Sequence, residues 1–142
     1  IKNMFNEAGW ICSERPVIWI KRAGGQNNNP DAWFSSSYEM LLFARRSDSK
    51  LVLYGRPDWI QCDLVLPSER IHQAEKPIPL LKELISRTTL PGSYVYDPFL
   101  GSGAIIEAAV DMKMLALGCE LSPEAYANAL ARMVKWKEVN KK

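Results

Sequence analysis

The chain has 142 residues, of which 47% are hydrophobic, and its 18 basic and 16 acidic side chains give a formal net charge of +2. This length suits one compact domain, and the near-neutral charge excludes a polycation that binds nucleic acid over its whole surface. The 3 cysteines are widely separated and only 1 histidine is present, so no zinc spacing occurs and we expect no metal site. Because no run of about 18 apolar residues occurs, we expect a cytoplasmic protein without a membrane segment.

The sequence opens on a helical pattern. Met4, Phe5 and Ala8 recur at helical spacing, and Gly9 ends the pattern. Since the chain starts at Ile1 and enters this pattern directly, we expect it to be part of a longer protein.

Strands are predicted to follow. The apolar runs at 10–12 and 17–20 flank Pro16, which indicates one bent strand or two short ones. Turn-forming residues at 24–31 predict a surface loop. The run at 38–44 again has a strand composition, and we expect it to pair antiparallel with the first strand region. The next stretch, up to residue 71, is mixed in character and predicts a long excursion with little core.

The C-terminal half alternates regularly between helices and strands. Apolar residues recur at helical spacing from Leu80 to Ile85, after Pro77 and Pro79, and Pro91 and Gly92 end this helix. Further elements are predicted as a short buried strand at 94–97, a helix at 104–112, a strand at 115–120 and a helix from 123 to about 136. This order predicts a parallel sheet with its ligand site at the carboxyl ends of the strands.

The stretch YVYDPFLGSG at 94–103 has the features of a ligand-binding turn. Gly101 and Gly103 let the backbone bend and approach a ligand, and the next helix offers N–H donors to a carboxylate. Asp97 suits an ammonium group, and Phe99 provides an apolar wall. Glu120, 23 residues beyond Asp97, ends the next strand, where an acid binds both ribose hydroxyls. An amino acid joined to a nucleoside, S-adenosylmethionine, fits this set. A purely structural corner is the alternative.

The run from His72 to Met133 resembles the cofactor-binding half of the amino-methylating DNA methyltransferases. The family's pattern is roughly H-x-x-x-K-P, an apolar helix, P-G, V-x-D-P-F-x-G-S-G, a helix, G-x-E and Y-x-x-x-A-x-x-R, and nearly every element is present here in this order. The resemblance implies methyl transfer from S-adenosylmethionine to an exocyclic amine in DNA, with the N6 amine of adenine as the expected target and the N4 amine of cytosine as the alternative. It also implies a Rossmann-like α/β fold, with an incomplete mixed sheet and helices on both faces.

The resemblance implies one partial methyltransferase domain over 1–142, of the permuted type in which the catalytic half comes first. Residues 1–46 then correspond to late strands of the catalytic half, 47–71 to an irregular connection, and 72–142 to the cofactor-binding half.

Site residues follow from the same resemblance. Lys76 and Pro77 belong to a segment that closes over the cofactor, although Lys76 also fits a solvated helix entry, and His72 orders the loop. Ala104 stands where threonine is common. The residues that the resemblance places around S-adenosylmethionine are Lys76, Pro77, Asp97, Pro98, Phe99, Gly101, Ser102, Gly103 and Glu120.

The family's catalytic tetrapeptide is absent from this sequence. That motif is Asp, Asn or Ser, then two prolines and an aromatic residue, and the segment from Asn29 to Trp33 lacks the second proline. The resemblance assigns it to activating the target amine and stacking on a flipped base. We therefore expect these residues alone to be inactive and the motif to come from a missing N-terminal segment or a partner chain. A non-catalytic S-adenosylmethionine-binding module is the alternative.

DNA contacts are predicted in the N-terminal part. The candidates are four cations at strand ends beside the polar loop and one tryptophan: Lys21, Arg22, Arg45, Arg46 and Trp33. Other tryptophans are assigned to packing, and the lysines at 135, 137, 141 and 142 to a solvated end. An incomplete sheet exposes a strand edge, which predicts a homodimer or aggregation.

Overall fold

The computed structural model describes residues 1–22, 27, 29–72 and 74–140. They form two compact units, Ile1–Leu64 and Val65–Lys142, called unit 1 and unit 2 here. Half of the loop predicted at 24–31, and the last two lysines of the predicted solvated end, lie outside the described residues.

The described part of unit 1 contains one short helix and five strands. The elements are α1 (Lys2–Glu7), β1 (Ile11–Cys12), β2 (Val17–Lys21), β3 (Tyr38–Leu41), β4 (Ala44–Arg45) and β5 (Trp59–Cys62). The antiparallel pairing predicted from the sequence is present twice, as β2 with β3 and as β1 with β4. At the centre of β2, Trp19 is 1% exposed, and its Nε1 donates to the carbonyl oxygen of Cys62 at 3.1 Å.

Strand β5 corrects the prediction that residues 45–71 contribute little core. It pairs with β2 in parallel, and its Ile60 and Cys62 side chains are buried. Trp59 and Gln61 point the other way and are exposed, as the two-residue period of a strand requires. Four residues just after Pro57 are too short a run to stand out from the surrounding polar sequence.

Unit 2 has the predicted order of helices and strands. Its elements are α2 (Ile78–Thr88), β6 (Tyr94–Asp97), α3 (Ala104–Asp111), β7 (Leu115–Gly118) and α4 (Pro123–Val139). Strands β6 and β7 pair in parallel. Pro77 is the extended N-cap of α2, and the Ser122 side chain caps α4 by accepting from the Ala125 amide at 3.3 Å.

The core of unit 2 lies between its helices and one face of the β6–β7 pair. Ile85 of α2 and Ala108 of α3 are buried there, and Val95 and Ala116 pack against them from the strands. The side chains on the opposite face are 49–69% exposed, which corrects the prediction that residues 94–97 form a buried strand. They are Tyr94, Tyr96, Leu115 and Leu117. A strand alternates its side chains, so a single helical layer covers only every second one.

Asp111 links the three helices of unit 2. Its carboxylate accepts from Trp136 Nε1 of α4 at 2.6 Å and from Lys82 Nζ of α2 at 2.5 Å. Trp136 therefore has a structural role, as predicted for most of the tryptophans. Among the described residues, no helix is both long and apolar enough to cross a bilayer.

Candidate functional site

The turn between β6 and α3 is held in a fixed conformation by its own side chain and glycines. Asp97 Oδ1 accepts from the amide of Phe99 at 2.9 Å. Gly101 and Gly103 have φ angles of +53° and +74°, in the left-handed region that glycine adopts without strain. Gly103 is the N-cap of α3, so the turn leads directly into the helix.

Close packing gives Gly103 a second reason to be glycine. A Cβ atom at this position would lie 3.0 Å from the Cβ of Ala129 on α4 and 3.3 Å from its Cα. The turn therefore packs against α4 at Gly103, in addition to following directly from β6.

Glu120 connects the turn to the end of the neighbouring strand. Its Oε2 accepts from the Gly101 amide at 2.7 Å, and its Oε1 accepts from the Ser122 amide at 2.9 Å. These backbone hydrogen bonds, from Ser122 first and then Gly101, lower the pKa of Glu120 below its ordinary value of 4.5. The side chain is thus a fixed carboxylate beside the turn.

Several amides of the turn already have partners. Those of Phe99 and Gly101 bind carboxylates, the Leu100 amide donates to the Cys119 carbonyl, and the Gly103 amide donates to the Leu100 carbonyl. In contrast, the amides of Ser102, Ala104 and Ile105 make no hydrogen bond to a described residue. Unpaired amides at the first turn of a helix are donors for an anion.

A cavity of about 150 Å³ lies beside this turn in unit 2. The turn and the start of α3 line one part of it, and the segment before α2 lines another. The predicted site residues that it brings together are Lys76, Asp97, Phe99, Gly101 and Ser102. Ala104, which stands where threonine is common in the family it resembles, also lines the cavity and is 5% exposed.

The remaining predicted residues do not line the cavity, but they are adjacent in sequence or hydrogen-bonded to residues that do. Pro77 is the N-cap of α2, Pro98 lies within the turn, Gly103 lies close to α4, and Glu120 accepts from the Gly101 amide. Their predicted roles around a cofactor remain predictions.

Glu75 is the charged lining residue that the sequence reasoning missed; the other lining residues not predicted, Ala74, Leu81, Leu100 and Ile105, are apolar. The Glu75 side chain is only 2% exposed, and it accepts from the Ile71 amide at 2.8 Å. The only signal was its place inside the H-x-x-x-K-P spacing. His72 also lines the cavity, and it lies close to the turn: a Cβ added at Gly101 would be 3.8 Å from its Nδ1.

The cations predicted to bind DNA each have a protein partner in unit 1. Lys21 pairs with Glu39 at 3.1 Å and Arg22 with Asp63 at 3.3 Å. Arg45 donates to the carbonyls of residues 46, 47 and 49, and the Arg46 guanidinium lies 4.8 Å from the centre of the Trp10 ring. Trp33 is 74% exposed. DNA contact by these residues remains a prediction.

Comparison with models of protein families assigns the chain to a family. The family model described as DNA methylase (N6_N4_Mtase) matches residues 55–131, more than half of the sequence. The chain belongs to this DNA methylase family. The resemblance drawn from the motifs is thereby confirmed.

Curated relatives of the DNA methylase chain include type II methyltransferases. M.Cfr9I of Citrobacter freundii is 36% identical over 67 residues, which cover 47% of this chain and 22% of the relative. M2.DpnII of Streptococcus pneumoniae is 27% identical over 124 residues, covering 76% of this chain and 46% of the relative. The chain thus spans less than half the length of these relatives.

Solved structures with the same fold include a DNA methyltransferase. The M1.HpyAVI complex with SAM has a TM-score of 0.80 at 24% identity, covering 94% of this chain and 67% of that one. The cytosine-N4-specific PvuII DNA methyltransferase has a TM-score of 0.74 at 17% identity, covering 96% of this chain and 58% of that one. These likenesses confirm the predicted Rossmann-like methyltransferase fold class.

Among the described residues, no group of three or more His, Cys, Asp or Glu side chains is arranged to hold a metal ion.

Proposed function

We propose that this DNA methylase chain is the cofactor-binding part of an S-adenosylmethionine-dependent DNA methyltransferase that modifies the N6 amine of adenine. The observation that carries the proposal is the hydrogen bond from the Gly101 amide to Glu120, which places a fixed carboxylate against the turn that lines the cavity. Asp97 and the unpaired amides lie at the cavity, and Glu120 is hydrogen-bonded to the turn that lines it. That combination suits a ligand with an ammonium, a carboxylate and a ribose.

Each residue has a chemical task in this proposal. Asp97 supports the ammonium group, since only one of its oxygens is needed by the Phe99 amide. The amides of Ser102, Ala104 and Ile105 receive the carboxylate. Each Glu120 oxygen has a second lone pair, with which it can accept a ribose hydroxyl. Lys76, Pro77, Pro98 and Phe99 complete the site beside the methionine part.

The size of the cavity supports a partial enclosure of the cofactor. Sites for whole small molecules measure roughly 300–1,000 Å³, and this cavity measures about 150 Å³. It suits the methionine part, with the nucleoside extending toward Glu120. When bound, S-adenosylmethionine supplies an electrophilic methyl group, and the residues of this chain hold and orient it.

The catalytic tetrapeptide must then come from elsewhere. No two prolines are adjacent in these 142 residues, so we propose that a preceding segment or a partner chain contributes the motif. Together they would act on DNA in the cytoplasm of a bacterium, an archaeon or a phage-infected host. Cytosine N4 is the alternative target, and the absence of the motif favours a non-catalytic binding module as a second candidate.

Calorimetric titration of S-adenosylmethionine tests the site. We expect the wild type to bind, and Asp97→Ala to bind at least about tenfold more weakly because one charge–charge contact is lost. Asp97→Asn keeps an oxygen for the Phe99 amide and removes only the charge. It therefore distinguishes the effect of losing the negative charge from the effect of losing the hydrogen bond that holds the turn. Asp48→Ala, at an exposed position in unit 1, is the matched control. Equal heats for wild type and Asp97→Ala would refute the assignment.

A further inference from the structure

Arg132 joins three segments of unit 2 through a pair of carboxylates. Its Nη2 contacts Glu75 Oε1 of the segment before α2, and its Nε lies 3.4 Å from Glu107 Oε2 of α3. Arg132 itself belongs to α4. The Arg132 and Glu75 side chains are only 11% and 2% exposed, so this contact is shielded from water.

The second oxygen of Glu75 organises the chain just before α2. Glu75 Oε2 accepts from the Ile71 amide at 2.8 Å and from the His72 amide at 3.4 Å. The Glu75 amide in turn donates to the His72 carbonyl at 3.1 Å. One carboxylate therefore holds the amides of Ile71 and His72, and His72, Glu75 and Lys76 all line the cavity.

The composition of this cluster indicates that its role is conformational. It holds two carboxylates and one guanidinium, and Arg132 Nη1 is buried with no hydrogen-bond partner in the described part of the chain. Buried ion pairs contribute little net stability compared with well-packed apolar residues, and their best-attested benefit is to select one arrangement. Here the selected arrangement is that of the segment lining the cavity.

We propose that Arg132 is a positioning residue for cofactor binding: it anchors Glu75, and Glu75 holds Ile71 and His72 beside the cavity. This inference rests on the proposed function and adds to it a residue that does not line the site. It predicts that a change at Arg132 on α4 alters cofactor affinity through the backbone of another segment.

Two measurements on Arg132→Met test the anchor. Hydrogen exchange of the Ile71 amide, measured by NMR without cofactor, should accelerate because its acceptor is no longer held. The dissociation constant of S-adenosylmethionine should rise about tenfold. Arg132→Lys keeps the charge but has a single nitrogen with which to meet two carboxylates. It should therefore fall between wild type and Arg132→Met in both measurements, and it serves as the test variant if Arg132→Met does not fold.

A control separates positioning from general destabilisation. Met114→Ala removes a buried core side chain that does not line the cavity, so it should lower the unfolding temperature and leave the affinity of the folded protein within about twofold. If Met114→Ala weakens binding as much as Arg132→Met at equal loss of stability, the positioning role is wrong.

The outcomes also separate this inference from the proposed function. If the wild type binds no S-adenosylmethionine, both fall. If the wild type binds, Asp97→Ala does not, and the Arg132 variants keep wild-type affinity and wild-type exchange at Ile71, then only the positioning role is overturned.

Discussion

The amide of Gly101 donates to Glu120 Oε2 at 2.7 Å, and this hydrogen bond ties the turn after β6 to a residue two positions beyond the end of the parallel strand β7. The two acids of the proposed site are therefore linked through the turn. Replacing Glu120 should alter the conformation of the turn, and altering the turn should shift Glu120.

Replacing Glu120 should disturb both the ribose contact and the turn. We expect Glu120→Ala to weaken S-adenosylmethionine binding by more than about tenfold, because a charged acceptor is lost and the Gly101 amide loses its partner. Glu120→Gln keeps one oxygen and should fall in between. Titration calorimetry measures both, with Glu124→Gln in the first turn of α4 as the control. Unchanged affinity in Glu120→Ala would contradict the predicted role.

Gly103→Ala should destabilise unit 2 more than an alanine at another glycine with positive φ. Gly92 has a φ of +83°, and a Cβ added there would meet nothing within 4 Å, so Gly92→Ala reports backbone strain alone, about 1–2 kcal/mol. Gly103→Ala adds the close approach to Ala129, about 1–3 kcal/mol more. Urea unfolding of both variants gives the difference, and equal losses would show that α4 moves aside freely.

The carboxylate of Asp111 should make stability depend on pH. Burial alone would raise its pKa, but hydrogen bonds from Lys82 and Trp136 outweigh burial and lower the pKa below its ordinary value of 3.8. A lowered folded-state pKa adds stability above the ordinary pKa, and that stability is lost as the pH falls through the folded value.

Asp111→Asn is accordingly expected to be less stable than wild type at neutral pH, by less than about 1 kcal/mol because the pair is partly exposed. This difference should shrink below about pH 4. Urea unfolding at several pH values measures it, and Asp48→Asn serves as the exposed control. A difference that is constant down to low pH would rule out the ionised carboxylate as its source.

The chain alone should not methylate DNA. With saturating S-adenosylmethionine, we expect no transfer of labelled methyl groups to unmethylated duplex, because the tetrapeptide that activates the amine is absent. A chain extended to include such a motif is the positive control. Measurable transfer by these 142 residues alone would overturn the proposed division of labour.

Local signals explain why some elements were predictable from the sequence and others were not. Pro77 and the pair Pro91–Gly92 delimit α2, and the glycines of the turn mark the start of α3, so the order of elements in unit 2 followed from single residues. Strand β5 was missed because its partner β2 lies about 40 residues earlier, and such pairing leaves little local trace.

The candidate site was predictable where its chemistry is local. Asp97 and Gly101 lie close together in sequence and predict a turn without further information. The role of Glu75, in contrast, depends on its contact with Arg132, 57 positions later in the chain. The exposure of individual side chains also could not be predicted from the sequence. The sequence indicates that β6 is apolar, but which of its faces the helices cover depends on packing between distant parts of unit 2.

The indole hydrogen bonds of Trp19 and Trp136 provide a built-in spectroscopic reporter for each unit. Trp19 Nε1 donates to Cys62 within unit 1, and Trp136 Nε1 donates to Asp111 within unit 2. Indole protons resonate apart from most backbone amides, so the two signals can be followed side by side during denaturation without any label. Their midpoints then tell whether the two halves of the polypeptide melt as one cooperative body or in succession.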